Sequence, residues 1–288
     1  MQKLITLFNR HSAYFQVTPL MLILGAFLIV PLLVIFTYSF YEFTGYFTRP
    51  AFELTAWIRA FTLDITYLNY WATIKITAIT WAITLVIGFT LAYFFVFDIL
   101  TLRFKIFLFL LTVVPFWTSG VVRMIAWLPF LGKEGIVNSA IMGLGLSDQP
   151  LEFLIFSEFA VIMSYVHMFT LFMVAPLFNV MARIDRSLLE AARDQGSNNW
   201  QILTNIIIPL SRPGIIIGTI FVTALVASDF TAIRFLGGGK LGSVSMTIAN
   251  QYNSVQFPFS AANGLLLLVV LLLFVGGMMR VVDIRKQL

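Results

Sequence analysis

An all-α integral membrane fold with six crossings is what this sequence predicts, on three observations. Hydrophobic residues make up 60% of the 288, while only 11% are charged, against about 25% in a soluble domain. The apolar residues fall in blocks of bilayer-spanning length, roughly 20 residues each. The blocks are continuous rather than alternating, which suits helices, whose backbone hydrogen bonds close within the segment, and not the strands of a membrane barrel.

The first block, residues 20–40, is a full crossing in length and is followed by Tyr41, Glu42 and Phe43 rather than a small-residue cleavage site, so it reads as a retained span and not a cleaved leader. An outer connection (41–70) leads to the second crossing (71–97), and Arg103 and Lys105 precede the third (106–130). The second outer connection (131–158) holds glycine-rich turns, and its apolar segment 135–146 is too short to cross and is expected to lie along the outer surface. The fourth crossing (159–181) is followed by a polar loop (183–212), the fifth crossing (214–234), a third outer connection (235–260) and the sixth crossing (261–279). Pro31 and Pro115 lie inside crossings, where ordinary bending is expected.

Charge sets the orientation. Eleven of the 18 lysines and arginines lie on the side of the termini, among them Lys3, Arg10, Arg103, Arg183, Arg280 and Arg285, and seven lie opposite or within crossings. The positive-inside rule then puts both termini in the cytoplasm of a multi-pass inner (plasma) membrane protein. The net charge of +5 is scattered and forms no basic stripe for nucleic acid. The absence of cysteine removes disulfides, thiolate metal sites, iron–sulfur clusters and a cysteine nucleophile. No crossing carries a His-Glu-x-x-His, an aspartate pair or a serine with its base, so neither an embedded enzyme nor a metal site is expected.

The loop at 183–212 is the most polar cytoplasmic stretch. Asp185 or Ser187 is placed to cap a helix, Glu190, Ala191 and Ala192 propagate it, and Gly196 stops it. A second helix is expected from about Asn199, ending before Pro209. Leu188, Leu189, Ile202, Leu203 and Ile206 are available for burial, giving a compact knob, whereas a plain amphipathic linker would lie on the lipid headgroups.

The loop resembles the EAA signature of permease subunits of ATP-binding-cassette importers: Glu-Ala-Ala, three residues, Gly, nine residues, then Ile-x-Leu-Pro. Glu190, Ala191, Ala192, Gly196, Ile206 and Pro209 match in register, with Ile208 in place of the leucine. The stretches Val114-Pro-Phe-Trp-Thr-Ser-Gly-Val-Val-Arg123, Leu131-Gly-Lys-Glu-Gly-Ile-Val-Asn138 and Leu188-Leu-Glu-Ala-Ala-Arg-Asp194 look like the spermidine and putrescine group, which also moves opines and phosphonates. The resemblance implies a type I ABC importer permease fold. It divides the chain into 1–66 (N-terminus, first span and first outer loop), a five-helix transmembrane core at 67–280 with the coupling loop 183–212, and a cytoplasmic tail at 281–288.

It also implies a working assembly: a second permease, two nucleotide-binding ATPase subunits holding ATP and Mg²⁺, and an extracytoplasmic solute-binding protein, with no cofactor in this chain. The residues agree that the motor lies elsewhere, because the nearest approach to a phosphate-binding loop, Gly239-Lys240, is followed by leucine. A channel without a motor is the rival reading.

Ionised groups inside a bilayer call for partners or a wet cavity. Asp229, late in the fifth crossing, suits the ammonium of a passing polyamine or a fixed ion pair with Arg123 or Arg234. Arg123, where the third crossing leaves the membrane, is explained by snorkelling. Arg234 departs from the usual pattern of the resembling importers and would favour an anionic or zwitterionic solute such as an opine or phosphonate. Lys75 is expected to snorkel to the outer interface, and His167 to be hydrogen-bonded to a neighbour.

Overall fold

A computed structural model describes residues 2–99 and 101–281. All but the first residue of the expected cytoplasmic tail, with Arg285 and Lys286, lies outside the described residues. Five helical stretches are long and apolar enough to cross a membrane: Val17–Tyr38, Asp64–Asp98, Glu158–Met181, Asn199–Ser228 and Phe257–Arg280. They correspond to the first, second, fourth, fifth and sixth predicted crossings.

The third predicted crossing is not one helix. It consists of α4 (Leu102–Val113), a 3₁₀ turn at Val114–Trp117, and α5 (Gly120–Leu131). Pro115 has no N–H for the ladder, and Ser119 leaves helical space at φ −57°, ψ 138°, so the expected bend becomes a full break.

Two compact units emerge. One joins the chain up to Leu63 with Asn250–Leu266. It contains α1 (Gln2–Tyr38), the short hairpin β1 (Glu42–Phe43) and β2 (Thr48–Arg49), and α2 (Thr55–Thr62). The hairpin pairs Glu42 with Arg49. Ala56, Phe259 and Ala262 form its small core, with the Arg59 guanidinium 4.8 Å from the centre of the Phe259 ring and Trp57 Nε1 donating to Ser39 Oγ at 3.2 Å.

The other unit runs from Asp64 to Ala249 and resumes at Leu267. Its framework is α3 (Asp64–Tyr93, prolonged by a π-turn at Phe94–Asp98), α7 (Glu158–Met181) and α10 (Ile208–Ser228), with α7 packed against both α3 and α10. Along α3 the buried positions are Asn69, Thr73, Ile76, Thr80, Thr84, Gly88 and Ala92. This is a stripe of small side chains at helical spacing, the kind that lets helices approach closely where lipid gives no hydrophobic drive to association. Gly88 on α3 and Gly218 on α10 flank the fully buried Met173 of α7. A Cβ at either position would lie 2.6 Å from Met173 Cγ or 2.5 Å from its Sδ.

The fifth crossing ends earlier than expected. Asp229 (φ −80°, ψ 131°) stops α10 at Ser228, and a separate short helix, α11 (Thr231–Leu236), follows. At its other end the crossing begins sooner. Helix α9 (Asn199–Ile202) runs through a π-turn at Leu203–Ile207 directly into α10, so the second loop helix does not end before Pro209. The π-turn already interrupts the i→i−4 ladder, and the missing N–H of Pro209 falls beside that interruption without breaking the helix. Between the long helices lie α6 (Ile136–Gly143), inside the segment expected on the surface, and α12 (Val244–Asn253), which leads to α13 (Phe257–Val281).

Candidate functional site

The polar loop folds as a knob with chemically defined ends. Helix α8 (Arg186–Asp194) begins at Asp185, whose Oδ1 accepts the Ser187 N–H at 3.0 Å. That backbone bond holds the Asp185 carboxyl below the usual carboxylate range. Helix α8 stops in a Schellman arrangement: Gly196 N donates to Arg193 O at 2.8 Å and Ser197 N to Ala192 O at 3.0 Å. Gly196 sits at φ +86°, a conformation costly for any residue with a Cβ. The second helix opens with a capping box, Asn198 Oδ1 accepting Gln201 N and Gln201 Oε1 accepting Asn198 N, both at 2.8 Å.

Leu189, Ile202 and Ile207 are buried in the main core, with Leu203 and Ile206 packed against it. Leu188, expected to be buried, is 45% exposed. Glu190, Ala191 and Gly196 are exposed, and Ala192, Ile206 and Pro209 are half-buried. Trp200 joins the outer face at 70% exposure. The six motif residues thus divide into a presented group and a supporting group.

The charges singled out inside the membrane are not brought together. Asp229 Oδ1 accepts the Ala232 N–H at 3.0 Å, capping α11, while Arg234 occupies the last turn of the same helix and is exposed. A negative group at the N-terminus and a positive one at the C-terminus both complement the dipole of α11. Among the described residues no ion pair within 4.0 Å joins Asp229 to Arg123 or Arg234. Arg123 lies in the first turn of α5, just past the break; its Nη2 donates to Thr118 O at 3.0 Å and its guanidinium lies 5.4 Å from the centre of the Phe116 ring. Beside this break is a cavity of about 440 Å³ lined by Phe116, Trp127, His167 and Thr170, in which the Trp127 and His167 rings meet edge to face at 5.7 Å.

Sequence reasoning missed a polar network around the end of α10. The main-chain oxygen of Asp229 accepts both Tyr165 Oη at 3.1 Å and Ser245 Oγ at 2.8 Å. Asn69 Nδ2 donates to Thr247 Oγ1 at 2.8 Å, and Val244 N donates to Thr73 Oγ1 at 3.1 Å. The signal was the Asn69, Thr73, Thr80, Thr84 stripe, which is polar inside an apolar helix at spacings of four and seven. Lys75, expected to snorkel, instead pairs with Glu158 at 2.7 Å. Between α5 and α7 the fully buried Asn138 holds the connection by donating to Gly132 O at 2.9 Å and accepting Leu151 N at 2.7 Å.

Long apolar helices joined by a capped polar knob define an integral membrane protein with several crossings. The chain belongs to the family of binding-protein-dependent transport system inner membrane components, whose model matches residues 84–287. It is therefore a permease of an ATP-binding-cassette importer. It is similar to the spermidine/putrescine transport system permease protein PotB of Haemophilus influenzae, at 35% identity over 208 residues, 71% of this chain and 72% of that one.

Two solved structures share its fold at 17% identity. One is a bacterial ABC transporter involved in import of the acidic polysaccharide alginate, with a TM-score of 0.75 over 98% of this chain and 99% of that one. The other is a bacterial alginate ABC transporter in complex with a pentasaccharide-bound periplasmic protein, with a TM-score of 0.74 over 94% of each chain.

Proposed function

We propose that this permease carries a small, charged, polyamine-like solute across the inner membrane by alternating access. Its termini and the 183–212 loop face the cytoplasm, and the loop docks by its Glu190–Gly196 face into a separate ATPase subunit. The complete machine has a second permease, two such ATPases on which ATP and Mg²⁺ bind, and an extracytoplasmic solute-binding protein that delivers cargo to the outer connections. ATP-driven closure of the motor pair moves the knobs together and opens the spans outward, and hydrolysis resets them.

The observation that carries this reading is the knob itself. Two caps and a left-handed glycine fix its shape, Leu189, Ile202 and Ile207 root it in the core, and a small-residue face is presented outward. Small exposed side chains at Ala191 and Gly196 let another protein approach the backbone closely. A polyamine is the favoured cargo because 35% identity to a spermidine/putrescine permease extends over 208 residues. An anionic or zwitterionic solute is the second reading, supported by Arg234, whose side chain is exposed.

The deciding experiment reconstitutes the complex with Gly196→Val, which places a branched side chain at a positive φ where an L-residue costs roughly 1–2 kcal/mol. Solute uptake and solute-stimulated ATP hydrolysis are expected to fall together while the amount of permease in the membrane is unchanged. Uptake that survives with no ATPase co-purifying establishes a motor-free channel instead. The solute retained by the binding protein of the isolated complex identifies the cargo.

A further inference from the structure

The second span ends on the cytoplasmic side in a π-turn, Phe94–Asp98, closed by Ile99 N donating to Phe94 O at 3.2 Å. Ile99 then turns extended (φ −87°, ψ 111°), so the carbonyls of the last turn have no donor within the helix. Arg186 supplies one from ninety positions away: its Nη2 donates to Val96 O at 3.1 Å. A cation at this end also complements the dipole of the second span.

Arg186 is the first residue of α8, following its cap Asp185. There a positive charge opposes the dipole of its own helix, so the stability of α8 does not account for it. The partner at Val96 does. Val96 and Leu189 of α8 belong to one buried cluster, and the neighbouring Phe95 and Ile99 pack with Val174 of α7. The knob is therefore tied by covalent continuity to the fourth and fifth spans and by Arg186 to the second.

We propose that Arg186 is a positioning residue that makes the second span move with the knob, so that motor closure is delivered to three spans and not two. This rests on the coupling role proposed for the 183–212 loop. Without Arg186 the knob still docks and ATP is still hydrolysed, but the second span lags and hydrolysis no longer yields transport.

The test is the ratio of solute imported to ATP hydrolysed by the reconstituted complex. Arg186→Met keeps the apolar stem and removes the donor. It is expected to leave ATPase co-purification and hydrolysis intact while lowering the ratio about tenfold, the factor set by losing one hydrogen bond from a charged group. Arg186→Lys, which restores a charged donor, is expected to recover more than half of the loss on a logarithmic scale. An unchanged ratio in the Arg186→Met complex, or no recovery with lysine, overturns the inference.

Should Arg186→Met fail to assemble, the wild-type contact is tracked directly. The native chain has no cysteine, so spin labels on Asp98→Cys and Arg183→Cys, both exposed positions, report the two elements cleanly. Their separation is expected to stay constant between the nucleotide-free and ATP-bound complexes. A change of more than one helical turn, about 5 Å, overturns the inference. If Gly196→Val leaves both uptake and solute-stimulated hydrolysis unaltered, the coupling role of the loop is rejected as well. If Gly196→Val lowers uptake and hydrolysis together and Arg186→Met leaves the ratio unchanged, only the Arg186 link is lost.

Discussion

Tyr165 and Asp229, on different helices, are joined by a 3.1 Å hydrogen bond from the tyrosine hydroxyl to the aspartate main-chain oxygen, which also accepts Ser245 Oγ at 2.8 Å. That oxygen belongs to the residue where α10 stops, so the two hydroxyls fix the position of the break. Removing either donor leaves the other in place. Tyr165→Phe and Ser245→Ala are each expected to destabilise by about 1 kcal/mol, and the double variant by more than the sum, because only then is the buried carbonyl left unsatisfied. Thermal unfolding of the four proteins in one detergent measures the cycle, and strict additivity would mean that the donors do not share this acceptor.

Gly88 faces Met173 where no flexible atom can yield, since the would-be Cβ meets Met173 Cβ at 2.9 Å as well as its Cγ. Gly88→Ala is therefore expected to cost about 1–3 kcal/mol through overpacking. Gly264 has nothing within 4 Å of the same atom, and Gly264→Ala in the helix interior is expected to be neutral or stabilising by up to ~1 kcal/mol. Equal melting temperatures for the two variants would refute the close packing of α3 on α7.

These relationships show where sequence reading succeeds. The crossings at 20–40, 71–97, 159–181 and 261–279 were legible because lipid demands long apolar helices and sequence shows length and polarity directly. The first helix of the knob was legible for a different reason: Asp185 and Gly196 act through local backbone chemistry, within a few residues of where they stand. The break at Val114–Ser119 was not, because a proline in a membrane helix leads either to a bend or to a stop, and its surroundings decide which. The cap made by Asp229 was hidden by the same logic. Its charge suggested a substrate or an ion pair, but its location at the end of α10 gives the carboxylate a cap to make, and a cap is invisible until the helix boundary is known.

The connection between α5 and α7 carries a pH dependence of known sign. Lys133 lies against Glu152, and this contact holds the Glu152 carboxyl below its ordinary value. A lowered carboxylate contributes stability above its unfolded pKa and loses it as the pH falls through the lower, folded one. The loop is thus expected to be insensitive between neutrality and mild acid and to loosen only in strong acid. Both side chains are mostly exposed, so salt weakens the pair. Hydrogen exchange of the 131–158 connection against pH checks this, and Glu152→Gln removes the acid-dependent step. Loosening near neutral pH would contradict the assignment.

Lys75 and Glu158 meet at 2.7 Å, joining the second span to the first turn of α7, and their side chains are 49% and 30% exposed. The two partners differ in what remains when the other is removed. Lysine has a long stem and can swing its ammonium to the interface, so Glu158→Gln leaves a charge with somewhere to go. Glutamate is short, and Glu158 Oε1 is already buried without a hydrogen-bond partner, so Lys75→Met leaves a carboxylate whose other oxygen has lost its donor. Lys75→Met is accordingly expected to be the more destabilising, by about 1–3 kcal/mol, the range for leaving a buried acceptor unmet. Adding Glu158→Gln to Lys75→Met is expected to recover part of that loss, since the orphaned charge disappears. Unfolding of the single and double variants decides the asymmetry, and a Glu158→Gln protein less stable than Lys75→Met would reverse it.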